Sequence, residues 1–401
     1  MPTNGVRWSM CLFAYLSLSA CSSTPGGSNR GESVASSQSA ITVSVGPHSI
    51  SRDFLDLTFL PAGVAADKKV VFVGDPLEGR VIAFSRLTGK QIGELPQPPG
   101  GFVVPFIMHS LGEGRVGVLD AGGLPQPKPL VPAHPLLSEY TYTFDPVAGF
   151  SATLARFVDS TGTLVGFPED FVKLPDGRIL LSDAVLGSIW VIQPDGTYTP
   201  GIVPKTFDPA DAIPQMAICP TMPEVTVNGV PFLFSGSTIP GIEAIAVRSG
   251  WAYFHSSCAR GLFKFPLAIL SDGRAPYQRA ADLQLIASTP ADIQVEELLD
   301  MQFNPYDPDD PYLYTAHGMQ LEVLRVDSRN GARQVIASDA RLFDFPSSLA
   351  FLPPVIGDTE IGSPKLLVVS NQQERTPITN DAVSADSFNV PFLVAKVRVT
   401  P

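Results

Sequence analysis

The chain has 401 residues, 44 % hydrophobic and 16 % charged, with 39 prolines, 34 glycines and a net charge of −12. That is apolar material enough for a large core, and too many turn formers for a fold of long helices. The acidic balance excludes nucleic acid as a partner, because phosphate binding needs a basic face.

Residues 1–20 carry Arg7 and then the apolar run Cys11 to Ala20. A basic start followed by a short apolar core reads as a secretory signal, and the run is too short to span a bilayer. Leu18-Ser19-Ala20-Cys21 resembles the lipobox of bacterial lipoproteins. The resemblance implies that Cys21 is lipidated and anchors the chain to the cell envelope. With Ser22 next, rather than Asp, it implies the outer membrane. Residues 22–40, rich in Ser and Gly, read as a flexible tether. The expected organisation is a signal over 1–20, lipidated Cys21 and tether over 21–40, and one domain over 41–401. Cys11 leaves with the signal, so Cys219 and Cys258 remain, and an even pair in an exported domain reads as a disulfide.

From residue 70 onward a pattern recurs. Apolar strands with polar ends read Val70 to Asp75, Arg115 to Asp120, Ile179 to Asp183, Trp251 to Ser256, Tyr312 to His317 and Lys365 to Asn371. Further strands flank them, and Gly/Asp turns separate them. The clearest copy is Pro168 to Gly196, which has a strand, Pro175-Asp176-Gly177, a strand ending at Asp183, a third strand and a second Pro-Asp-Gly. Four-stranded antiparallel modules in a ring predict an all-β fold, a six-bladed β-propeller. Residues 122–146, 204–240 and 372–389 read as insertions, and a seventh blade within 122–157 or 204–240 stays open. The last module lacks a fourth strand, and Ile41 to Val45 is expected to supply it, since an open ring leaves bare sheet edges.

In such a blade the first strand starts, and the second ends, at one mouth. That places Glu169, Asp170, Glu243, Glu296, Glu297, Ser347 and Ser348 beside Asp75, Asp120, Asp183, His255, His317 and Asn371. Carboxylate and amide oxygens suit a hard cation such as Ca²⁺. Each acid also has a plain reading as a turn residue that accepts backbone N–H groups. His109 and His134 fall in loop-like stretches with no assigned role.

Pro168-Glu169-Asp170, the Pro-Asp-Gly four residues on, and the strand ending Ser182-Asp183 resemble the SMP-30/gluconolactonase, strictosidine-synthase-like and NHL-repeat group of six-bladed propellers. The resemblance implies a metal-dependent hydrolase of a lactone or ester. A divalent cation would be held by Asp170, Glu243, Asn371 and Glu169, with Asp183 as base. Where that group usually carries Asn-Gly or Asn-Asp, this chain has Glu169-Asp170 and Ile242-Glu243, and the fourth position is Ser348. His317, like His255, also matches a streptogramin-lyase-like use of His as base. The alternative to catalysis is a propeller that binds a small molecule or an envelope protein.

Overall fold

The computed structural model describes residues 50–399 apart from 124–134, 207, 235–238 and 355–363. The signal, Cys21, the tether, Ile41 to Val45 and His134 lie outside the described residues.

The turn chemistry closes the strands as the sequence implies. Gly177 and Gly196 sit at φ +89° and +91°, where a side chain would be strained, and their N–H groups return to Leu174 and Gln193 oxygens. Asp176 and Asp195 accept from the N–H two residues ahead, at 3.1 and 2.9 Å. The strands these turns join form six four-stranded antiparallel sheets, one per blade. The first strands, in order, are Ala62–Ala66, Pro105–Ser110, Pro168–Lys173, Ile242–Arg248, Leu298–Phe303 and Pro346–Leu352. The fold is a six-bladed β-propeller.

Six apolar clusters each span two consecutive blades, including the sixth and the first. The core is therefore a ring of blade-to-blade interfaces, which explains why both faces of the inner strands are apolar. Ring closure uses the outer strand of blade six. Ile50–Leu57 pairs antiparallel with Phe392–Arg398, so the N-terminal strand that closes the ring is this one, where Ile41 to Val45 was expected.

Of the expected insertions, 122–146 needs correction and 204–240 stands. Residues 122–146 contain Leu136–Asp145, the third strand of blade two, which continues into Gly149–Asp159. Residues 204–240 hold a two-stranded hairpin, Val225–Val227 with Val230–Phe232, and no blade. Among the described residues there is no seventh blade. The Cys219–Cys258 disulfide is present, with Cα atoms 5.3 Å apart, and ties this insertion to the turn after Trp251–Ser256. Asn380 in the last insertion accepts from Leu233 N–H at 2.9 Å and donates to Pro231 O at 2.7 Å, joining the two insertions.

Candidate functional site

Every first strand carries a register shift one residue after its start. The residues at the shift are Gly63, Phe106, Glu169, Glu243, Leu299 and Ser347, with Ala244 also inside it in blade four. A bulge re-aims its side chain away from the regular pleat. Five of these six line one cavity of 290 Å³ at the mouth of the ring, and the sixth, Glu243, is buried. The residues that follow form a second, deeper tier: Val64, Ile107, Asp170, Ala244, Asp300 and Ser348. The expected equivalence of Asp170 with Glu243 is therefore corrected: Glu169 is the counterpart of Glu243, while Asp170 belongs to the tier below.

The deeper tier is a set of latches between blades. Asp170 Oδ2 accepts from Ile245 N–H of blade four at 2.9 Å. Asp300 Oδ2 accepts from Leu349 N–H of blade six at 2.9 Å and from Ser348 Oγ at 2.8 Å. Ser348 Oγ in turn accepts from Val64 N–H of blade one at 3.1 Å. His109, expected in a loop-like stretch, lies on the first strand of blade two. Its Nε2 bonds Asp170 Oδ1 at 2.7 Å, and Gln302 Nε2 lies 3.3 Å from its Nδ1. Gln302 also donates to Leu349 O at 2.6 Å, which ties His109 to blade six. Burial works against a charged His109, but Asp170 outweighs it and raises the pKa. Asp300 is pushed up to about 6, chiefly by burial.

His109, Asp170 and Asp300 offer ligand atoms within 4.8 Å of one another, which makes them a candidate metal position. Among the described residues no other three His, Cys or acidic groups do so. Their lone pairs are largely engaged already. Asp170 also accepts its own neighbour's N–H, from Phe171, at 2.7 Å.

The mouth tier differs, because it leaves oxygens free. Glu243 Oε1, Glu297 Oε2 and Asn371 Oδ1 are buried with no hydrogen-bond partner. Glu169, Glu297 and Asn371 line the cavity. Burial, then the charges of Glu243 and Asp170, push Glu169 well above the usual carboxylate range. Burial, then Glu243 and Glu169, do the same to Glu297. Glu243 is also raised by burial, against the opposing pull of His255 and Ser257, which contact Oε2 at 3.1 and 2.7 Å. His255 is buried between Glu243 and Glu296. Burial disfavours its charge, yet the two carboxylates raise its pKa. Glu296 is lowered in spite of burial, through His255 and Arg333. Sequence reasoning placed Glu243, Glu297 and Asn371 near the mouth. It had no signal for His255 as the support of Glu243.

Asp183 is differently occupied. Its carboxylate is buried and accepts from Gly166, Phe167 and Leu186 N–H groups at 2.6, 3.1 and 3.1 Å. Asp120 repeats this on Val103, Val104 and Gly122 N–H groups. These acids hold the chain entering a blade to the end of its second strand. Burial raises its pKa in spite of these bonds, but the three donors occupy both carboxylate oxygens, and the turn-residue reading describes Asp183 better than that of a base. His317 is buried, with Nδ1 3.1 Å from Glu322 Oε1 and Nε2 without a partner.

No family model matches the chain, and no curated protein matches it in sequence. Solved structures do match. The major allergen Mala s 1 of Malassezia sympodialis is similar with a TM-score of 0.54 at 11 % identity, over 84 % of this chain and 93 % of that one. The calcium-binding protein regucalcin from Agrobacterium tumefaciens gives 0.49 at 14 %, over 87 % and 94 %. A gluconolactonase from Xanthomonas campestris gives 0.46 at 12 %, over 88 % and 91 %. At such identity the likeness to the allergen shows the shared propeller fold and nothing about the reaction.

Proposed function

We propose that the mouth of this propeller is a divalent-cation site that serves hydrolysis of a lactone or ester, with Glu243, Glu297 and Asn371 as the candidate ligands and Glu169 beside them at the cavity wall. The observation that carries the reading is the trio of buried oxygens without partners, Glu243 Oε1, Glu297 Oε2 and Asn371 Oδ1. A buried acceptor left unpaired costs about 1–3 kcal/mol, and more if charged. Hard oxygen donors of this kind fit Ca²⁺.

A bound divalent ion supplies positive charge that polarises a carbonyl and lowers the pKa of water. The chain's own groups do the rest. His255 and Ser257 hold Glu243 by Oε2 and leave Oε1 turned free. Glu169, at the cavity wall, is the carboxyl group that in its ionised form would take a proton from water, a role that falls to it because Asp183 is engaged by backbone.

The second reading is a propeller that binds a ligand without turning it over, and the engagement of Asp183 favours it. The lyase reading rests on His317 and His255 and stands behind both.

The test is a thermal-unfolding and calorimetric titration of chelator-treated protein with Ca²⁺, Mg²⁺ and Mn²⁺, followed by a lactone and ester panel. Saturable binding with turnover that chelator removes supports the hydrolase. Saturable binding without turnover on any panel member leaves the binding module. The absence of ion binding overturns the metal reading.

The same proposal places the protein in the bacterial envelope, lipid-anchored through Cys21 at the outer membrane. A disulfide suits an oxidising compartment, and the Cys219–Cys258 pair supports export in that sense. Partition of the wild type into detergent, and of Cys21→Ala into the aqueous phase, is the expected result.

A further inference from the structure

The chemistry of the mouth cavity sets its ligand class. Its wall is apolar on several sides, with Leu60, Leu77, Phe106, Phe167, Ile218 and Phe234 among the lining groups. Two of them reach the opening: Leu77 is 51 % exposed and Ile218 is 39 % exposed. The polar, uncharged lining groups are Ser347, Asn371, Gln373, Thr376 and Thr379, all from blade six and the insertion after it. The charged groups are Glu169 and Glu297, and among the described residues no Lys, Arg or His lines the cavity.

Each feature excludes something. A sugar lactone presents hydroxyls all round its ring. In this cavity most would face Leu, Phe or Ile, and each buried hydroxyl without a partner costs about 1–3 kcal/mol. While no ion is bound, a carboxylate or phosphate ligand would meet two acids and no compensating cation. What fits is a neutral molecule with one polar head and one hydrophobic body. The head lies along the Ser347–Asn371–Thr376 side above the acids, and the body lies against Leu60, Phe106, Phe167 and Ile218. Burying alkyl surface there is worth about 0.8 kcal/mol per methylene.

We infer that the cavity takes an alkyl- or acyl-chain lactone or ester, rather than a sugar lactone or, in the ion-free protein, an acid. The hydrolytic part of this statement rests on the proposed function, while the ligand class rests on the lining alone.

Binding is measured by calorimetry, with and without Ca²⁺. The probes are 5-hexylpyrrolidin-2-one, an inert lactam of the shape of γ-decalactone, and D-gluconolactam. Decanoate is tested with chelator present. The alkyl lactam is expected to bind one per chain, at least tenfold more tightly than either of the others. Leu77→Asp and Ile218→Asp, both at partly exposed positions, should each weaken it by about tenfold, the effect of one lost apolar contact. Their unfolding curves show whether the fold is kept. Gluconolactam binding as tightly as the alkyl lactam overturns the inference, and so does an affinity that neither variant changes. Lactam binding without turnover of γ-decalactone in Ca²⁺ overturns only the hydrolase reading. Turnover of glucono-δ-lactone without alkyl-lactam binding overturns only the ligand class.

Discussion

Asp170 in blade three holds the backbone N–H of Ile245 in blade four at 2.9 Å, across the boundary between two sheets. Asp300 does the same to Leu349, and Ser348 to Val64, which carries the device from blade six back to blade one. The first strands of a propeller have no hydrogen-bonded neighbour on their axis side, so their inner N–H groups need other partners. Side chains of the deeper tier satisfy them. Asp170 and Ser348, which the sequence places at the mouth, thus act as seams together with Asp300.

Asp170→Ala should accordingly cost stability rather than a ligand alone. It strands Ile245 N–H and leaves His109 without its acid. Loss of a buried charged acceptor is worth about 3–5 kcal/mol. Ser348→Ala should cost about 1 kcal/mol, the value of an ordinary hydrogen bond. Denaturant unfolding midpoints of the two variants measure both.

Glu297→Gln should separate stability from ion binding. The folded protein raises this acid's pKa, so it keeps a proton that the unfolded chain releases near the ordinary value of 4.5. Stability from the group is full below that value and is lost as pH rises towards the folded pKa. The neutral amide escapes this loss. The variant's melting temperature in chelator should exceed the wild type's, with a gap that widens with pH. Its Ca²⁺-induced shift should shrink or vanish. A variant that melts lower in chelator yet keeps the full Ca²⁺ shift contradicts the assignment.

Glu374 predicts a second pH dependence away from the mouth's floor. Burial and the neighbouring Asp344 push it up to about 9 from an ordinary 4.5. The folded state therefore holds more protons than the unfolded chain between those values, and stability falls as pH rises through the window. Glu374→Gln should flatten that fall. Melting temperatures of both proteins from pH 5 to pH 9 provide the comparison.

Reduction, or Cys219→Ser, should loosen the insertion that carries Ile218 and Phe234. Opening a loop with a sequence separation of 39 costs about 3–4 kcal/mol in chain entropy. Proteolysis is expected to cut first within 204–240 in the reduced protein, while the blades persist as one unfolding transition.

The mouth acids were legible in part. Glu169, Glu243, Glu297 and Asn371 stand at strand starts and ends that the Pro-Asp-Gly turns mark out. Asp170 was misplaced by one position, because the register shift after Pro168 leaves no trace in composition or alternation. In a strand, one residue is the difference between opposite faces. His109 had no local signal, since its meaning comes from Asp170, 61 residues away, and from Gln302, 193 residues away.

Local chemistry decided the modules. Turn glycines, apolar alternation and the repeat period are properties of short segments, so the residues alone determined an all-β ring of four-stranded sheets. The two lone cysteines of the domain also implied their pairing. Closure of the ring by Ile50–Leu57, the bulge that lifts Glu169 above Asp170, and the choice of which acids are latched and which keep a free oxygen depended on the assembled ring. Each requires groups from different blades to meet at one axis, and only tertiary structure brings them there.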